Sequence, residues 1–215
     1  MDAYLPALPV LLTYAAAVVA LTLTPGPDMT LYLSKTISHS RLAGFAAFAG
    51  ASTGGLIHSM LVAIGLSALL VASATAFMVL KVVGALYLMW LAIDAIRNGS
   101  SFQLAPGEKG RRETIRSVYL KGILINLLNP KVIVFFLTFL PQFVSPSDPE
   151  AGTKLFILGL LFIAISVPIN ALFILSAGHI ARFLKTSKRA TRAVDYLFAT
   201  VLGGFAVKLL VARGT

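Results

Sequence analysis

Six long apolar stretches, at 7–33, 43–71, 77–96, 117–143, 155–178 and 194–212, alternate with short polar ones along the chain. Crossing the hydrocarbon core of a bilayer takes roughly 20 residues of helix, so each stretch predicts one transmembrane helix. The first is too long for a single straight helix and is interrupted by Thr24-Pro25-Gly26-Pro27-Asp28. Two prolines remove amide donors there, and the glycine loosens the backbone. Asn126-Leu127-Leu128-Asn129-Pro130-Lys131 interrupts the fourth in the same way, and Pro168 predicts a kink near Ile165–Val167 in the fifth.

Composition sharpens this picture. Of 215 residues, 58% are hydrophobic and only 12% charged, with a mean hydropathy of +0.89. Soluble domains carry about twice that share of charge, so this chain cannot cover its own surface with polar groups. A soluble globular enzyme is excluded, and six crossings leave no room for a separate soluble domain. The net charge of +10 invites a nucleic-acid reading. The basic residues lie in short loops between apolar stretches, however, and not on a face with stacking aromatics, so no nucleic-acid partner is expected. The absence of cysteine excludes disulfides, thiol redox chemistry and Cys-ligated metals. His39, His58 and His179 have no metal-ligand spacing, and neither a metal nor a cofactor is expected. With no Lys or Arg ahead of the first apolar run and no obvious cleavage site, that run is expected to be a retained helix and not a signal peptide.

Orientation follows from the basic residues, which gather on the cytoplasmic side of membrane proteins. The loops at 34–42, 97–121 and 179–192 hold thirteen, against two in the intervening loops and both tails. The basic loops should therefore be cytoplasmic, with both termini outside. The polar stretch at 98–114 divides the chain into 1–97 and 115–215. Three crossings in each half force the second to enter the membrane upside down. The expected fold is thus an all-α polytopic membrane protein. It has six transmembrane helices in two inverted three-helix repeats, and helices 1 and 4 are broken at their proline motifs. Interrupted segments at matching positions of inverted halves point to a transporter's binding site.

Backbone groups freed by a break at membrane depth survive only when they line a polar cavity or are buried in protein. A half-helix starting at Pro27 or Pro130 presents amides and a positive dipole end suited to a carboxylate, and the freed carbonyls suit an ammonium. Asp28 adds a fixed anion and Lys131 a fixed cation. The expected substrate-binding residues are therefore Pro25, Gly26, Pro27, Asp28, Asn126, Asn129, Pro130 and Lys131, complementary to a zwitterion. The plain alternative is that Asp28 and Lys131 pair with each other or snorkel to an interface. Gly50 and Gly54 form a small-xxx-small face for helix packing. His58, one turn beyond Gly54, is either a buried hydrogen-bonded histidine or a proton carrier in reserve behind Asp28. Lys81 is expected to snorkel outward, and Asn170, a polar group inside an apolar run, receives no role.

Several of these motifs resemble the LysE/RhtB family of amino-acid exporters. In the first half they are T-P-G-P-D at 24–28, Gly50-x-x-x-Gly54 with His58 and Gly65-Leu66, and Lys81-Val-Val-Gly84-Ala-Leu-Tyr87-Leu88. In the second half they are Lys121-Gly122, Asn126 to Lys131, and Phe139-Leu-Pro141-Gln142-Phe143. Ala199 stands where a glycine is usual in the last helix, and Val118 and Tyr119 vary the aromatic lead-in. The resemblance runs along nearly the whole chain. It implies an inner-membrane homodimer that exports amino acids from the bacterial cytoplasm, driven by the proton-motive force. A distantly related class of membrane electron carriers uses a cysteine in each half, which this chain lacks. One acid and one base favour a neutral substrate such as threonine, homoserine or leucine over lysine. Two alternatives are a non-transporting scaffold or assembly protein of the same fold, and an intramembrane enzyme. For the latter there is no H-E-x-x-H and no aspartate pair.

Overall fold

Prolines and glycines set where each helix stops. A computed structural model describes residues 6–66, 74–98, 113–145, 148–180 and 188–211, and every regular element among them is helical. Helix α1 runs from Leu8 to Leu23 and α2 from Pro27 to Ser38, bent by 52° at the break between them. The break is where the motif predicts it: Pro25 and Pro27 have no N–H to continue the ladder. Helix α3 (Arg41–Leu61) is N-capped by Ser40 Oγ, which accepts from the Ala43 amide at 3.2 Å, and continues as a π turn over Val62–Leu66. Helix α4 spans Ala74–Asn98.

A second proline break follows further along the chain. Helix α5 (Ile115–Leu127) is capped by Thr114, and Pro130 opens α6 (Pro130–Val134), which runs on through a π turn and a 3-10 turn to Phe143. The α5–α6 pair bends by 50°. Helix α7 spans Ala151–Leu175 and stays helical through Pro168, and α8 covers Lys188–Val211. Helix α3 with its π turn, and α7, are each long and apolar enough to cross a membrane; the two bent pairs qualify when each is taken as one span. The polar linker at 98–114 lies almost wholly outside the described residues.

Helices α3 and α5 approach until their backbones touch. A Cβ on Gly50 would fall 2.0 Å from the Tyr119 carbonyl oxygen, and one on Gly122 would fall 2.2 Å from that of Ala47. Only glycine fits at either position. Two apolar clusters flank this contact. The aromatic part of the larger one joins Tyr14, Phe135, Phe136 and Phe139 with Leu155 and Leu158, at the end away from the basic loops. The Tyr14 hydroxyl donates to the Leu158 carbonyl at 2.6 Å, tying α1 to α7. The smaller cluster joins Met29, Tyr32, Leu33, Val118 and Ile174 at the basic-loop end.

Lys81 corrects the sequence expectation. Its side chain is only 4% exposed and makes contacts within the protein, so it does not snorkel outward. Lys81, Ala85, Leu88, Ala92 and Ala95 are all buried. That spacing of three and four residues puts them on one face of α4. Lys81 begins this packed stripe, and distance from the helix end alone did not reveal it.

Candidate functional site

The two helix breaks meet. Each leaves polar backbone inside the protein, and a side chain from the other half braces it. Thr24 ends α1 and cannot pass its carbonyl to a following helical amide. The Lys131 ammonium fills that role, donating to Thr24 O at 2.7 Å and to Leu21 O at 3.3 Å. In return, Asn126 near the end of α5 reaches Asp28 at the start of α2: its Nδ2 donates to Asp28 Oδ2 at 2.7 Å. The freed carbonyls of the first break are thus held by the protein's own lysine, where the sequence suggested a substrate ammonium.

The fit is tight. A Cβ on Gly26 would lie 3.2 Å from Lys131 Nζ, so glycine lets the ammonium come close to the broken strand of backbone. A Cβ on Gly54 would lie 2.6 Å from Asn126 Oδ1. Gly54 therefore sets where Asn126 sits, and through it the Asp28 carboxylate. Asn129 caps α6, its Oδ1 accepting from the Lys131 amide at 3.1 Å. Helix α2 has no such side-chain cap, so the amides of its first turn remain open.

Asp28 and Lys131 line one cavity of roughly 70 Å³ but form no ion pair with each other. They share a polar chamber without closing on one another. Thr22, Ser52, Asn126, Ser166 and Asn170 add polar groups to its wall, and Met29, Phe48, Val132, Phe162 and Ile163 add apolar ones. Three buried polar atoms here lack a hydrogen-bond partner: Asp28 Oδ1, Asn126 Oδ1 and Asn129 Nδ2. The ammonium of Lys131 carries three donors, two of them engaged. The result is two acceptors with spare capacity, one of them on a carboxylate, beside an ammonium with one proton to spare, and the Asn129 amide lies buried next to them.

Of the other expected residues, Pro25 and Gly26 form the first break, while Pro27 and Pro130 occupy the opening turns of α2 and α6. His58 stands behind the site and does not line it. It is buried, with Nε2 3.4 Å from the Asn126 carbonyl and its ring stacked on Phe136 at 5.5 Å. Gly50 lies at the α3–α5 contact. Sequence reasoning missed Tyr32 and Asn170. The Tyr32 hydroxyl donates to Asn170 Oδ1, and Asn170 Nδ2 donates to the Ser166 carbonyl at 2.9 Å. An amide two residues past a proline in an apolar span was the available signal. Tyr32 carried none, since a tyrosine within an apolar stretch is ordinary.

Among the described residues no cluster of His, Asp or Glu could hold a metal ion. No solved structure matches the chain. The family model described as "LysE type translocator" matches residues 19–213. A leucine efflux protein of Klebsiella pneumoniae is 30% identical over 204 residues, covering 92% of this chain and 93% of that protein. A homoserine/homoserine lactone efflux protein of Salmonella typhimurium is 32% identical over 181 residues, covering 84% and 86%. A Vibrio cholerae relative described only as a membrane protein is 29% identical over 202 residues, covering 94% and 97%. Both proline breaks fall inside the matched span, and the match runs nearly from end to end: this membrane protein belongs to the LysE type translocator family.

Proposed function

We propose that the protein exports a neutral α-amino acid, of the leucine or homoserine class, from the bacterial cytoplasm in exchange for protons. One observation carries this reading: the cavity is lined by Asp28 and Asn126, each with an unfilled acceptor, and by the Lys131 ammonium, with the unfilled Asn129 amide buried next to them. A zwitterion matches that set. Its ammonium would take Asp28 Oδ1 and Asn126 Oδ1. Its carboxylate would face the free Lys131 proton, Asn129 Nδ2 and the open amides of α2, and its side chain would lie against Phe48, Phe162 and Ile163. A lysine-type substrate would bring a second cation with no second carboxylate to meet it. The names of the relatives, leucine and homoserine efflux proteins, agree with a neutral substrate.

Asp28 is the proposed proton carrier because it is the carboxylate in the cavity; His58, one step behind Asn126, is second in line. The inverted-repeat reading draws support from the matching 52° and 50° bends and from a proline opening the helix after each break. The thirteen-to-two bias of basic residues supports cytoplasmic basic loops and outside termini in the inner membrane. A homodimer belongs to the same reading, through the family resemblance alone.

The test is efflux from loaded cells or uptake into everted vesicles, over a panel of amino acids, with and without a protonophore. Gradient-dependent movement of a neutral amino acid is expected, and movement of none would overturn the proposal. Asp28→Asn should cut gradient-driven efflux by about 10- to 100-fold, whereas a scaffold of the same fold would tolerate it.

A further inference from the structure

Beyond the site lies a second hollow. A groove of roughly 340 Å³ opens at the basic-loop end, lined by Thr36 and Ile37 of α2, Arg41 of α3, Ile174 and Leu175 of α7, and His179. Thr36 is one helical turn past Tyr32, and Ile174 one turn past Asn170. The same faces of the same two helices therefore line the groove and, one turn deeper, the cavity that holds Asp28 and Lys131. Between the two levels the Tyr32 hydroxyl bonds Asn170. The Tyr32 ring stands edge-on to Phe48 at 5.8 Å, and Ile174 is fully buried.

We propose that Tyr32 and Asn170 form the gate between this groove and the transport site, so that parting their hydrogen bond opens the site to the basic-loop face. The inference rests on the transport reading above for its purpose, but not for its geometry. The two residues come from opposite halves of the chain, 138 positions apart, so any relative motion of the halves acts directly on this bond. At the opposite end the cavity is backed by the packed rings of Phe135, Phe136, Phe139 and Phe162, a broad aromatic barrier. Toward the groove the Tyr32–Asn170 pair is the polar contact beside the smaller apolar cluster. One polar contact with an aromatic edge beside it is the part a small motion would open.

The native chain has no cysteine, so a single reporter can be read cleanly. Ser52→Cys places a thiol in the cavity wall, and Ile37→Cys places one in the groove as a control. Labelling by a charged, membrane-impermeant thiol reagent is followed in the full-length protein, from each membrane face in turn, with and without Tyr32→Phe. Losing the bond should raise labelling at the Ser52 position about two- to tenfold, the factor that one net hydrogen bond sets. The rise is expected from the basic-loop face only, with the Ile37 position unchanged. Asn170→Leu provides the same comparison should Tyr32→Phe fold poorly. Unchanged labelling at the Ser52 position in both variants, or an equal rise from both faces, would overturn the gate. Labelling needs no transport, so the two readings fail separately. A gate that responds in a protein moving no amino acid would sink the transport proposal alone. Transport with labelling indifferent to both substitutions would sink the gate alone.

Discussion

Asp28 and Lys131 face a common cavity, and what keeps them from neutralising one another is the set of bonds each already makes. Lys131 is drawn to the carbonyls of Leu21 and Thr24, and Asp28 to the Asn126 amide. Each retains unused capacity, which suits a site that must hold a substrate and release it. Asp28→Asn removes a charged acceptor, and efflux is expected to fall by about 10- to 100-fold, the factor set by a charged hydrogen bond. Direct binding measurements on the purified variant separate its two roles: retained binding with lost gradient coupling marks a proton carrier, and lost binding marks a ligand contact. Gly54→Ala should act on the same carboxylate from behind. The added Cβ would meet Asn126 Oδ1 at 2.6 Å and Asn126 Cβ at 2.8 Å, pushing the amide off Asp28. Efflux should drop severalfold or more, while Gly65→Ala, with nothing within 4 Å of its new Cβ, should match the parent.

Among the elements, the two breaks depend on each other. The C-terminal end of α1 is negative by its dipole and is answered by an ammonium from α6, while an amide at the end of α5 secures the start of α2. Lys131→Met should therefore do more than empty a binding position. It leaves the Thr24 carbonyl without a donor and the Leu21 carbonyl with the Thr24 amide alone, a cost of about 1–3 kcal/mol for the buried group left unmade, and should lower the unfolding midpoint in detergent as well as abolish efflux. The α3–α5 contact is a different case, since there backbone meets backbone. Gly50→Ala would place a methyl 2.0 Å from the Tyr119 carbonyl, and no side chain can swing aside to accept it. The helices would have to part, at a cost of about 1–3 kcal/mol or more, readable as reduced folded yield and a lower melting temperature.

For the molecule as a whole, Glu113 ties the halves together at the basic-loop end. It lies just before α5 and meets Lys35 of α2 at 2.8 Å and Lys121 of α5 at 2.6 Å. Hydrogen bonds from Lys121 and then Lys35 hold its carboxyl down at about 2, against an ordinary value of 4.5. A depressed acid contributes its stability above its unfolded value, and that contribution fades as pH falls from about 4.5 through about 2. Thermal unfolding over this window should show an acid-sensitive component that Glu113→Gln removes. At neutral pH the same substitution should cost little, because partly exposed ion pairs contribute about 0–1 kcal/mol.

The sequence alone determined what is local. A run of apolar residues must be helical in a bilayer, proline has no amide to donate, and so the positions of both breaks and the charges beside them were legible before any coordinates. So was the small-residue face at Gly50 and Gly54, because its spacing is a property of one helix. Tertiary structure decided the partners. That Lys131 would occupy the carbonyls of the other half, that Asn126 would hold Asp28, and that Tyr32 would meet Asn170 depend on residues 107, 98 and 138 positions apart. Those meetings are set by how closely whole helices can approach, and no periodicity within a single helix encodes them. The burial of Lys81 eluded the hydropathy pattern for the same reason: the pattern locates a crossing, and packing against neighbours selects which of its faces turns inward.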